Sequence, residues 1–237
     1  MASSGEEKIK KAFKEKTWNE IKASDSWQIF KVMAEFVEGF EKLATIGPCV
    51  SIFGSARTRE DSEYYKLAEE IAFKLTTYGY GVITGGGPGI MEAANRGAKR
   101  GNGKSVGLNI HLPFEQTSNQ YIDQDKLMTF KHFFVRKVMF QKYAQGFIVL
   151  PGGFGTFDEF FESATLIQTG KIGRFPIVLV GKSFWGGLMS WIEEKVLVEE
   201  GNISPEDKEL FQLADTAEEA VGVINDFYSK YLLSPNF

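Results

Sequence analysis

A glycine-rich stretch at residues 151–159, with the sequence PGGFGTFDE, constrains the fold of this chain more than any other feature. It follows the apolar run FIVL at residues 147–150, which is typical of a buried strand, and it opens an amphipathic segment that continues to about Thr169. Glycines let the backbone approach a ligand closely, and a helix start offers unpaired N–H groups and a positive dipole end to an anion. The stretch therefore predicts a phosphate-sized cradle with the acid Glu159 beside it, and we interpret it as the functional site.

Thr156 and Glu159 have a second interpretation as helix caps. A Thr followed three residues later by a Glu is a capping box, in which the hydroxyl and the carboxylate bond to free N–H groups at the helix start. The same spacing recurs at Thr216 and Glu219, without glycines before it. Capping does not require the three glycines within residues 151–159, so these glycines favour a ligand-binding turn.

Strand-like and helix-like segments alternate along the chain. Short apolar runs predict five buried strands, at residues 49–53, 80–83, 105–110, 147–150 and 176–180. Helical patterns separate them, at about residues 64–75, 90–99, 132–144, 154–169, 185–200 and 216–231. This alternation predicts an α/β fold, a Rossmann-like doubly wound parallel sheet with helices on both faces.

We expect one Rossmann-like nucleotide-binding catalytic domain at residues 47–237, after an N-terminal helical extension at residues 1–46. The extension carries a charged helix-like segment, Glu6–Lys22, and a second segment with an apolar stripe from Trp27 to Leu43. Residues 111–130 have an irregular pattern, which we interpret as a loop or lid. The sequence assigns no role to the extension or to this loop.

Composition excludes several classes of protein. With 43% hydrophobic and 24% charged residues and a net charge of −4, the chain lacks the basic footprint of a nucleic-acid-binding protein. Cys49 is the one cysteine, and His111 and His132 are the two histidines, so we expect no disulfide framework, no metal site and no cofactor. The chain shows no apolar run of about 18 residues and no signal-peptide pattern, so we expect a cytoplasmic protein without membrane contact.

Three predicted strand ends carry glycine-rich or small turns: Gly54-Ser55, the run GGGPG at residues 85–89 and the run GGFG at residues 152–155. Carboxyl ends of parallel strands meet at one edge of the sheet, so the three turns can converge on one ligand. Any one of them alone could simply form a tight strand-to-helix turn. Neither longer run has the G-x-G-x-x-G spacing of a dinucleotide site, which disfavours a nicotinamide enzyme.

A phosphate-binding P-loop is also excluded. Gly103, Lys104 and Ser105 are similar to the end of that motif. However, Ala98 stands where the first glycine belongs, and Ser105 leads into a predicted strand rather than a helix.

Arg136 and Lys137 lie in the apolar run HFFVRKVMF at residues 132–140. The start of this predicted crossover helix lies at the same sheet edge as the glycine turn, so Arg136 can approach Glu159. A lone arginine in a helix is usually a solvated charge. Here its apolar neighbours favour a planar, permanently charged donor for a phosphate or a purine.

Together these motifs resemble a known family. The run PGGFGTFDE, the upstream Arg136-Lys137 and the run GGGPGIME at residues 85–92 resemble the Lonely Guy phosphoribohydrolases, which release free cytokinins from riboside 5′-monophosphates. The resemblance covers roughly residues 48–228, and the run TLIQTGKI at residues 165–172 is similar to the second-type bacterial branch. Members have often been labelled lysine decarboxylases, which the family's hydrolase activity does not support, and no residue pattern here identifies a pyridoxal phosphate lysine.

The resemblance implies roles for particular residues. Arg136 and Glu159 match the catalytic pair. The residues that match substrate- or phosphate-binding positions are Ser55, Gly86, Gly87, Glu92, Lys137, Gly152, Gly153, Gly155 and Thr156. Glu92 has a plain alternative as a first-turn carboxylate that favours the helix dipole. The resemblance also implies a homodimer or an assembly of dimers, a nucleoside monophosphate substrate and no metal.

Two functions stay open at this point. The first is hydrolysis of the N-glycosidic bond of cytokinin riboside 5′-monophosphates, and possibly AMP. The second is a nucleotide-binding or cofactor-carrier protein without catalysis, because the same fold can serve both. Arg136 and Glu159 favour the hydrolase, since a pure binding protein has no chemical need for them.

Overall fold

The structure is a computed structural model, and it describes residues 18–111, 118–230 and 236. The chain divides into two compact units, Met1–Glu38 and Gly39–Phe237. The domain boundary expected at residue 46 remains a prediction.

Helix α1, Trp18–Leu43, begins in the first unit and ends in the second. It confirms that the apolar-striped N-terminal segment is helical, whereas most of the charged segment Glu6–Lys22 lies outside the described residues. Within the first unit, α1 exposes five large apolar side chains: Trp27, Ile29, Phe30, Met33 and Val37.

In the described part of the second unit, seven parallel strands form one sheet. They are β1 Cys49–Phe53, β2 Gly81–Thr84, β3 Ser105–Ile110, β4 Leu127–Phe130, β5 Ala144–Val149, β6 Ile177–Val180 and β7 Gln212–Ala214. Their order is β4-β3-β2-β1-β5-β6-β7, with every neighbouring pair parallel. Winding reverses between β1 and β5, and this confirms the predicted doubly wound, Rossmann-like sheet.

Helices connect the strands and cover the sheet. They are α2 Glu63–Thr77, α3 Ile90–Arg100, α4 Phe133–Tyr143, α5 Phe154–Gln168, α6 Lys182–Trp191 and α7 Ala217–Lys230. Short 3-10 helices lie at Gln124–Lys126 and Pro205–Leu210, and a π-helical segment, Ile192–Glu199, continues α6. The Ser62 hydroxyl caps the start of α2, and Gly79, with a φ of +87°, follows its end, as is common for a glycine after a helix.

Both faces of the central strands are buried, which explains their continuous apolar runs. On one face, Val50 and Ile52 of β1 pack in a cluster with residues of α2, α3 and α7. On the other face, the ring of Phe53 packs against Phe140 of α4 and Phe147 of β5, with centroids 4.9 and 4.8 Å away. The core therefore holds the ends of β1 and β5 rigidly side by side.

Two strands correct the expectations from the sequence. β4 pairs with β3 inside residues 111–130, which the sequence pattern places in a loop, and residues 112–117 lie outside the described part. β7 forms the opposite edge with only three residues. Edge strands are short and pair on one side, so they lack the long apolar run of a central strand.

The helix expected over residues 185–200 is also divided, into α6 and the π-helical segment.

Among the described residues, no helix is long and apolar enough to cross a bilayer. Within the same part of the chain, no three His, Cys, Asp or Glu side chains are grouped so that they could hold a metal ion. Burial raises the pKa of the Cys49 thiol to about 12, so this thiol is unreactive at neutral pH.

Candidate active site

A cleft of about 230 Å³ opens where β1 and β5 end side by side. Its polar side chains are Asn109, Arg136, Thr156 and Glu159. Its apolar side chains are Phe53, Met91, Ile110, Phe133 and Phe140, and the backbone of Gly54, Gly85 and Gly155 completes the lining. The cleft therefore lies at the switch point of the sheet, where doubly wound folds bind their ligands.

The backbone of Ser55 joins the three turns that follow β1, β2 and β5. Its N–H donates to the carbonyl oxygen of Pro151 at 3.0 Å, and its own carbonyl oxygen accepts from the N–H of Ile90 at 3.1 Å. Gly89 has a φ of +68°, and a Cβ there would lie 2.4 Å from the Ser55 oxygen, so only a glycine fits. The predicted convergence of the turns at one edge is thus confirmed.

The glycine turn after β5 leads into α5 without a side-chain cap. The helix begins at Phe154, with Gly153 in the N-cap position and no side-chain hydrogen bond to the first turn. A Cβ on Gly152 would lie 2.1 Å from the Thr156 hydroxyl oxygen, so this glycine permits the close approach of Thr156 to the turn. Free N–H groups at an uncapped helix start are suited to an anion.

The capping-box interpretation of Thr156 and Glu159 is wrong. A capping box needs its Thr just before the helix and its Glu at the third helical position, whereas Thr156 is the third residue of α5 and Glu159 is the sixth. The identical spacing at the start of α7 does cap that helix. There the Glu219 N–H donates to the Thr216 hydroxyl at 3.1 Å, and the Glu219 carboxylate accepts from the Asp215 N–H at 2.7 Å.

Arg136 and Glu159 meet inside the cleft. The Nη2 atom of Arg136 lies 3.8 Å from Oε1 of Glu159, as the topology predicts for residues on α4 and α5. The Glu159 residue is 3% exposed. In the described part of the chain, the Arg136 Nε and the Glu159 Oε2 are buried and have no hydrogen-bond partner. Such atoms are available to a ligand or to water.

Burial changes the ionisation of both groups. It raises the pKa of the Glu159 carboxyl to about 7, although the charges of Arg136 and Lys137 oppose the change. Burial also lowers the pKa of the Arg136 guanidinium, against the charges of Glu159 and Asp158. The rings of Phe133 and Phe140 lie 5.3 and 5.6 Å from the guanidinium carbon and provide cation–π stabilisation. A carboxyl that titrates near neutral pH beside a permanent cation is suited to acid–base chemistry.

Polar contacts outside the cleft hold α4 against α5. The Lys137 ammonium lies 2.9 Å from Asp158 and 3.1 Å from Glu162. Burial lowers the pKa of Lys137, but the hydrogen bonds that its ammonium donates to these two carboxylates outweigh burial, and the net pKa is raised.

A second connection runs through Ser163, whose hydroxyl donates to the Glu159 carbonyl oxygen and accepts from the Gln141 amide, both at 2.7 Å. The positions of Arg136 and Glu159 are therefore fixed by two helices that two separate sets of polar contacts hold together.

The structure brings together some of the sequence-predicted site residues in the cleft and places the others around it. Arg136, Glu159, Thr156 and Gly155 line the cleft. Ser55, Gly152 and Gly153 lie in the adjoining turns. Gly86 and Gly87 belong to the turn after β2, beside the lining residue Gly85. Glu92, in the first turn of α3, and Lys137 are not among the lining residues.

The cleft also contains residues that the sequence analysis missed. Asn109 is the partly exposed residue of an otherwise buried strand, β3, and its Oδ1 accepts from the Ile110 N–H at 2.8 Å. A polar residue near the end of an apolar run is a signal that could have identified it. Phe53 and Met91 carry no such signal, because their apolar side chains look like ordinary core residues.

Comparisons with known proteins identify relatives of this chain. A family model described as "Possible lysine decarboxylase" matches residues 91–224. A cytokinin riboside 5′-monophosphate phosphoribohydrolase of Mycobacterium tuberculosis is 30% identical over 165 residues, which cover 68% of this chain and 84% of the relative. The phosphoribohydrolase LOG3 of Arabidopsis thaliana is 28% identical over 182 residues, which cover 75% of this chain and 82% of the relative.

The fold is also found in solved proteins with other names. A molybdenum cofactor (Moco) carrier protein of Chlamydomonas reinhardtii superposes with a TM-score of 0.54 at 21% identity, covering 78% of this chain and 99% of that one. At this identity the likeness shows the fold alone. The family model spans more than half of the chain and the mycobacterial relative is aligned over most of its length, so the chain belongs to the Lonely Guy family, whose model carries the description "possible lysine decarboxylase".

Proposed function

We propose that this protein hydrolyses the N-glycosidic bond of nucleoside 5′-monophosphates, with cytokinin riboside 5′-monophosphates as the first candidates and AMP as a second. The observation that carries the proposal is the buried Glu159 beside Arg136 in a cleft at the sheet's switch point. The names of the relatives, which are cytokinin riboside 5′-monophosphate phosphoribohydrolases, support the same reaction.

The substrate is held by its phosphate. The 5′-phosphate binds at the uncapped start of α5, where the N–H groups and the dipole favour an anion. Gly153 and Gly155 leave open space at this turn, since a Cβ at either position would meet no atom within 4 Å. Binding energy from the phosphate aligns the reacting carbon with Glu159.

The base lies on the apolar side of the cleft. The rings of Phe53, Phe133 and Phe140 offer a surface for a flat purine. Asn109 supplies an amide at this side, and its oxygen is already engaged by the Ile110 N–H. Its NH₂ group is then available as a donor to a purine nitrogen.

The reaction replaces the bond between C1′ and the base nitrogen with a bond between C1′ and a water oxygen. Positive charge develops on the ribose as the base leaves. Ionised Glu159 stabilises that charge and takes a proton from the attacking water. The proton then passes to the departing base, so that Glu159 returns to its ionised form. Arg136 orients the substrate and supports the departing base or the phosphate.

A carrier function is the alternative. Two solved proteins with this fold are a molybdenum cofactor carrier protein and a molybdenum cofactor binding protein, the second from Rippkaea orientalis. The fold thus serves binding proteins as well as enzymes. The buried Arg136 and Glu159 pair favours the hydrolase, because an acid–base group that titrates near neutral pH serves hydrolysis, whereas a site that only binds anions gains nothing from a carboxylate that repels them.

The test is incubation of the purified protein with isopentenyladenosine 5′-monophosphate, its riboside and AMP in separate reactions. Chromatography resolves the free base and ribose 5-phosphate. We expect release from a monophosphate and none from the riboside, and the ratio between the two monophosphates identifies the preferred base. Tight binding of a monophosphate without release from any substrate would favour the carrier function.

A further inference from the structure

A buried asparagine, Asn119, lies between β3 and β4 in a segment without regular secondary structure. The residue is 9% exposed. Its backbone N–H donates to the Gly86 carbonyl oxygen at 2.8 Å, and its Nδ2 donates to the Gly87 carbonyl oxygen at 3.0 Å. Its Oδ1 accepts from the Tyr121 N–H at 3.1 Å. One residue therefore bonds to two consecutive carbonyl groups of the turn after β2.

The same side chain belongs to a buried polar network. The Asn119 Nδ2 also donates to Oδ1 of Asn95 at 2.9 Å, and Oδ1 of Asn95 accepts from the Thr84 hydroxyl at 2.6 Å. The Thr84 hydroxyl in turn accepts from the Gly86 N–H at 3.0 Å. The turn is thus fixed by Asn119 through its carbonyl groups and by Thr84 through an N–H group.

The orientation of these carbonyl groups matters for an anionic ligand. Gly85, the residue before them, lines the cleft, whereas Asn119 does not. The hydrogen bonds therefore direct the negative ends of two peptide dipoles out of the cleft. Gly86 has a φ of +75°, and glycine peptides reorient at little steric cost, so the turn needs an external partner to keep one orientation.

From this geometry we infer that Asn119 is a positioning residue for the nucleotide. It holds the turn at Gly85–Gly87 in the orientation that accepts an anion. The inference rests on the proposed function for its substrate class. It gives a role to the segment before β4, whose contribution the sequence pattern does not define.

The inference predicts a specific kinetic effect. Without the Nδ2 bond to the Gly87 carbonyl, the turn samples orientations in which this carbonyl oxygen faces the phosphate, although the backbone N–H of residue 119 still bonds to the Gly86 carbonyl. Only a fraction of the molecules is then competent to bind, and the apparent affinity falls by that fraction. We expect Asn119→Ala to raise the KM for a monophosphate by on the order of tenfold, a loss typical of one or two buried hydrogen bonds, and to change kcat much less.

Ser105→Ala is the matched control. The Ser105 hydroxyl accepts from the Nδ2 of Asn95 at 2.9 Å, so its removal damages the same buried network without touching either glycine carbonyl. Both variants are expected to lower the melting temperature. A merely structural role for Asn119 predicts the same KM in both variants, whereas the positioning role predicts a raised KM for Asn119→Ala alone.

Hydrogen exchange supplies a readout that does not depend on activity. In the protein without ligand, backbone amides of residues 84–91 are expected to exchange faster in Asn119→Ala than in Ser105→Ala. If Asn119→Ala does not fold, Asn119→Ser, which loses the Nδ2 donor to the Gly87 carbonyl but keeps a small polar side chain, replaces it in both experiments.

The outcomes separate the two proposals. A raised KM with faster exchange supports the positioning role, and unchanged exchange at residues 84–91 overturns it. If the wild-type protein hydrolyses no monophosphate, the proposed function fails. The exchange data, together with calorimetric binding of AMP to the same variants, then still decide whether Asn119 positions the turn for an anion.

Discussion

The environment of Glu159 differs sharply from that of an ordinary surface carboxylate. Its side chain is 4% exposed, one oxygen lies 3.8 Å from the Arg136 guanidinium, and the other has no hydrogen-bond partner in the described part of the chain. A fully paired carboxylate would have a lowered pKa, and here burial outweighs the ion pair. The result is a group that changes charge near neutral pH.

The first prediction concerns the pH dependence of catalysis. The proposed mechanism needs ionised Glu159, so kcat/KM is expected to rise as the pH passes through about 7, the raised pKa of this carboxyl. Glu159→Gln removes the ionisable group and should lower kcat about 10²- to 10⁴-fold. The kcat/KM that remains should no longer rise as the pH passes through about 7. Initial rates from pH 5 to 9 provide the measurement.

The control for that variant is Glu162→Gln, the same substitution one turn further along α5. Glu162 contacts Lys137 and is not among the residues that line the cleft. Its variant keeps an ionisable Glu159, so its rate should still rise with pH, with the rise displaced toward lower pH because the charge of Glu162 helps to raise the pKa of Glu159. Equal activity of Glu159→Gln and the wild type would remove Glu159 from the mechanism.

The second prediction concerns stability. The pKa of Glu159 is raised in the folded protein, from an ordinary value of 4.5 to about 7, so the folded state binds this proton more tightly than the unfolded state. The stabilisation by the protonated form is fully present below about pH 4.5 and is lost as the pH rises through about 7. This difference corresponds to roughly 3 kcal/mol. As the pH rises from 5 to 8, the free energy of unfolding of the wild type should therefore fall more than that of Glu159→Gln.

Urea denaturation of both proteins at several pH values measures this effect. The Gln variant also leaves Arg136 without its counter-charge, but that contribution is the same at each pH. The comparison of slopes with pH is therefore informative even if the variant is less stable at every pH. Parallel pH dependences for the two proteins would contradict the raised pKa.

At the scale of elements, the two Thr-x-x-Glu spacings offer a matched pair of helix starts. Thr216 caps α7, so Thr216→Ala is expected to lower the free energy of unfolding by about 1 kcal/mol and to leave activity unchanged. Thr156 is the third residue of α5 and lines the cleft, so Thr156→Ala should lower kcat/KM with a smaller effect on stability. Denaturation and rate measurements on both variants test this. A larger stability loss for Thr156→Ala than for Thr216→Ala would instead favour a structural role for Thr156.

These helix starts also show what sequence patterns can and cannot predict. Spacing alone cannot distinguish a cap from a binding turn, because the first residue of a helix depends on the preceding backbone. The glycines before Thr156 move the start of α5 to Phe154, and Thr156 enters the first turn instead of preceding it.

The strands show the same limit of local sequence patterns. Those buried on both faces have long apolar runs and are predicted correctly, whereas β4 and β7 depend on pairing with a neighbour that local sequence does not reveal.

The cleft itself was partly predictable because it depends on topology. Once alternation indicates a parallel sheet, residues 23 positions apart, such as Arg136 and Glu159, can be placed at the same edge. Asn109 and Asn119 were not assigned, since their roles depend on side-chain partners, the Ile110 N–H for one and the glycine carbonyls for the other. The fold and the approach of Arg136 to Glu159 can therefore be predicted from sequence patterns. The positions of the polar groups around the cleft depend on tertiary packing, which these patterns do not show.

At the scale of the whole molecule, the rim of the cleft carries exposed aromatic side chains. Phe154, at the start of α5, is 95% exposed, and Phe133 and Phe134, at the start of α4, are 52% and 53% exposed. Phe133 also lines the cleft. Clustered exposed aromatic residues mark interaction surfaces, and the family resemblance implies a dimer with its sites near the interface. We therefore expect a second copy of the chain to cover this rim.

The last prediction tests that association. Phe154→Ser should shift the protein from dimer toward monomer in sedimentation velocity, because it removes a large apolar side chain from the proposed interface. Its effect on the melting temperature of the folded chain should be small, since an exposed side chain contributes little to the core. Tyr78→Ser is the control: Tyr78 is 64% exposed and follows α2 at the opposite edge of the sheet, so its variant should remain dimeric. Activity should fall with the dimer fraction of Phe154→Ser, because Phe133 belongs both to the rim and to the cleft. A monomeric wild type that is fully active would show that each chain completes its own site.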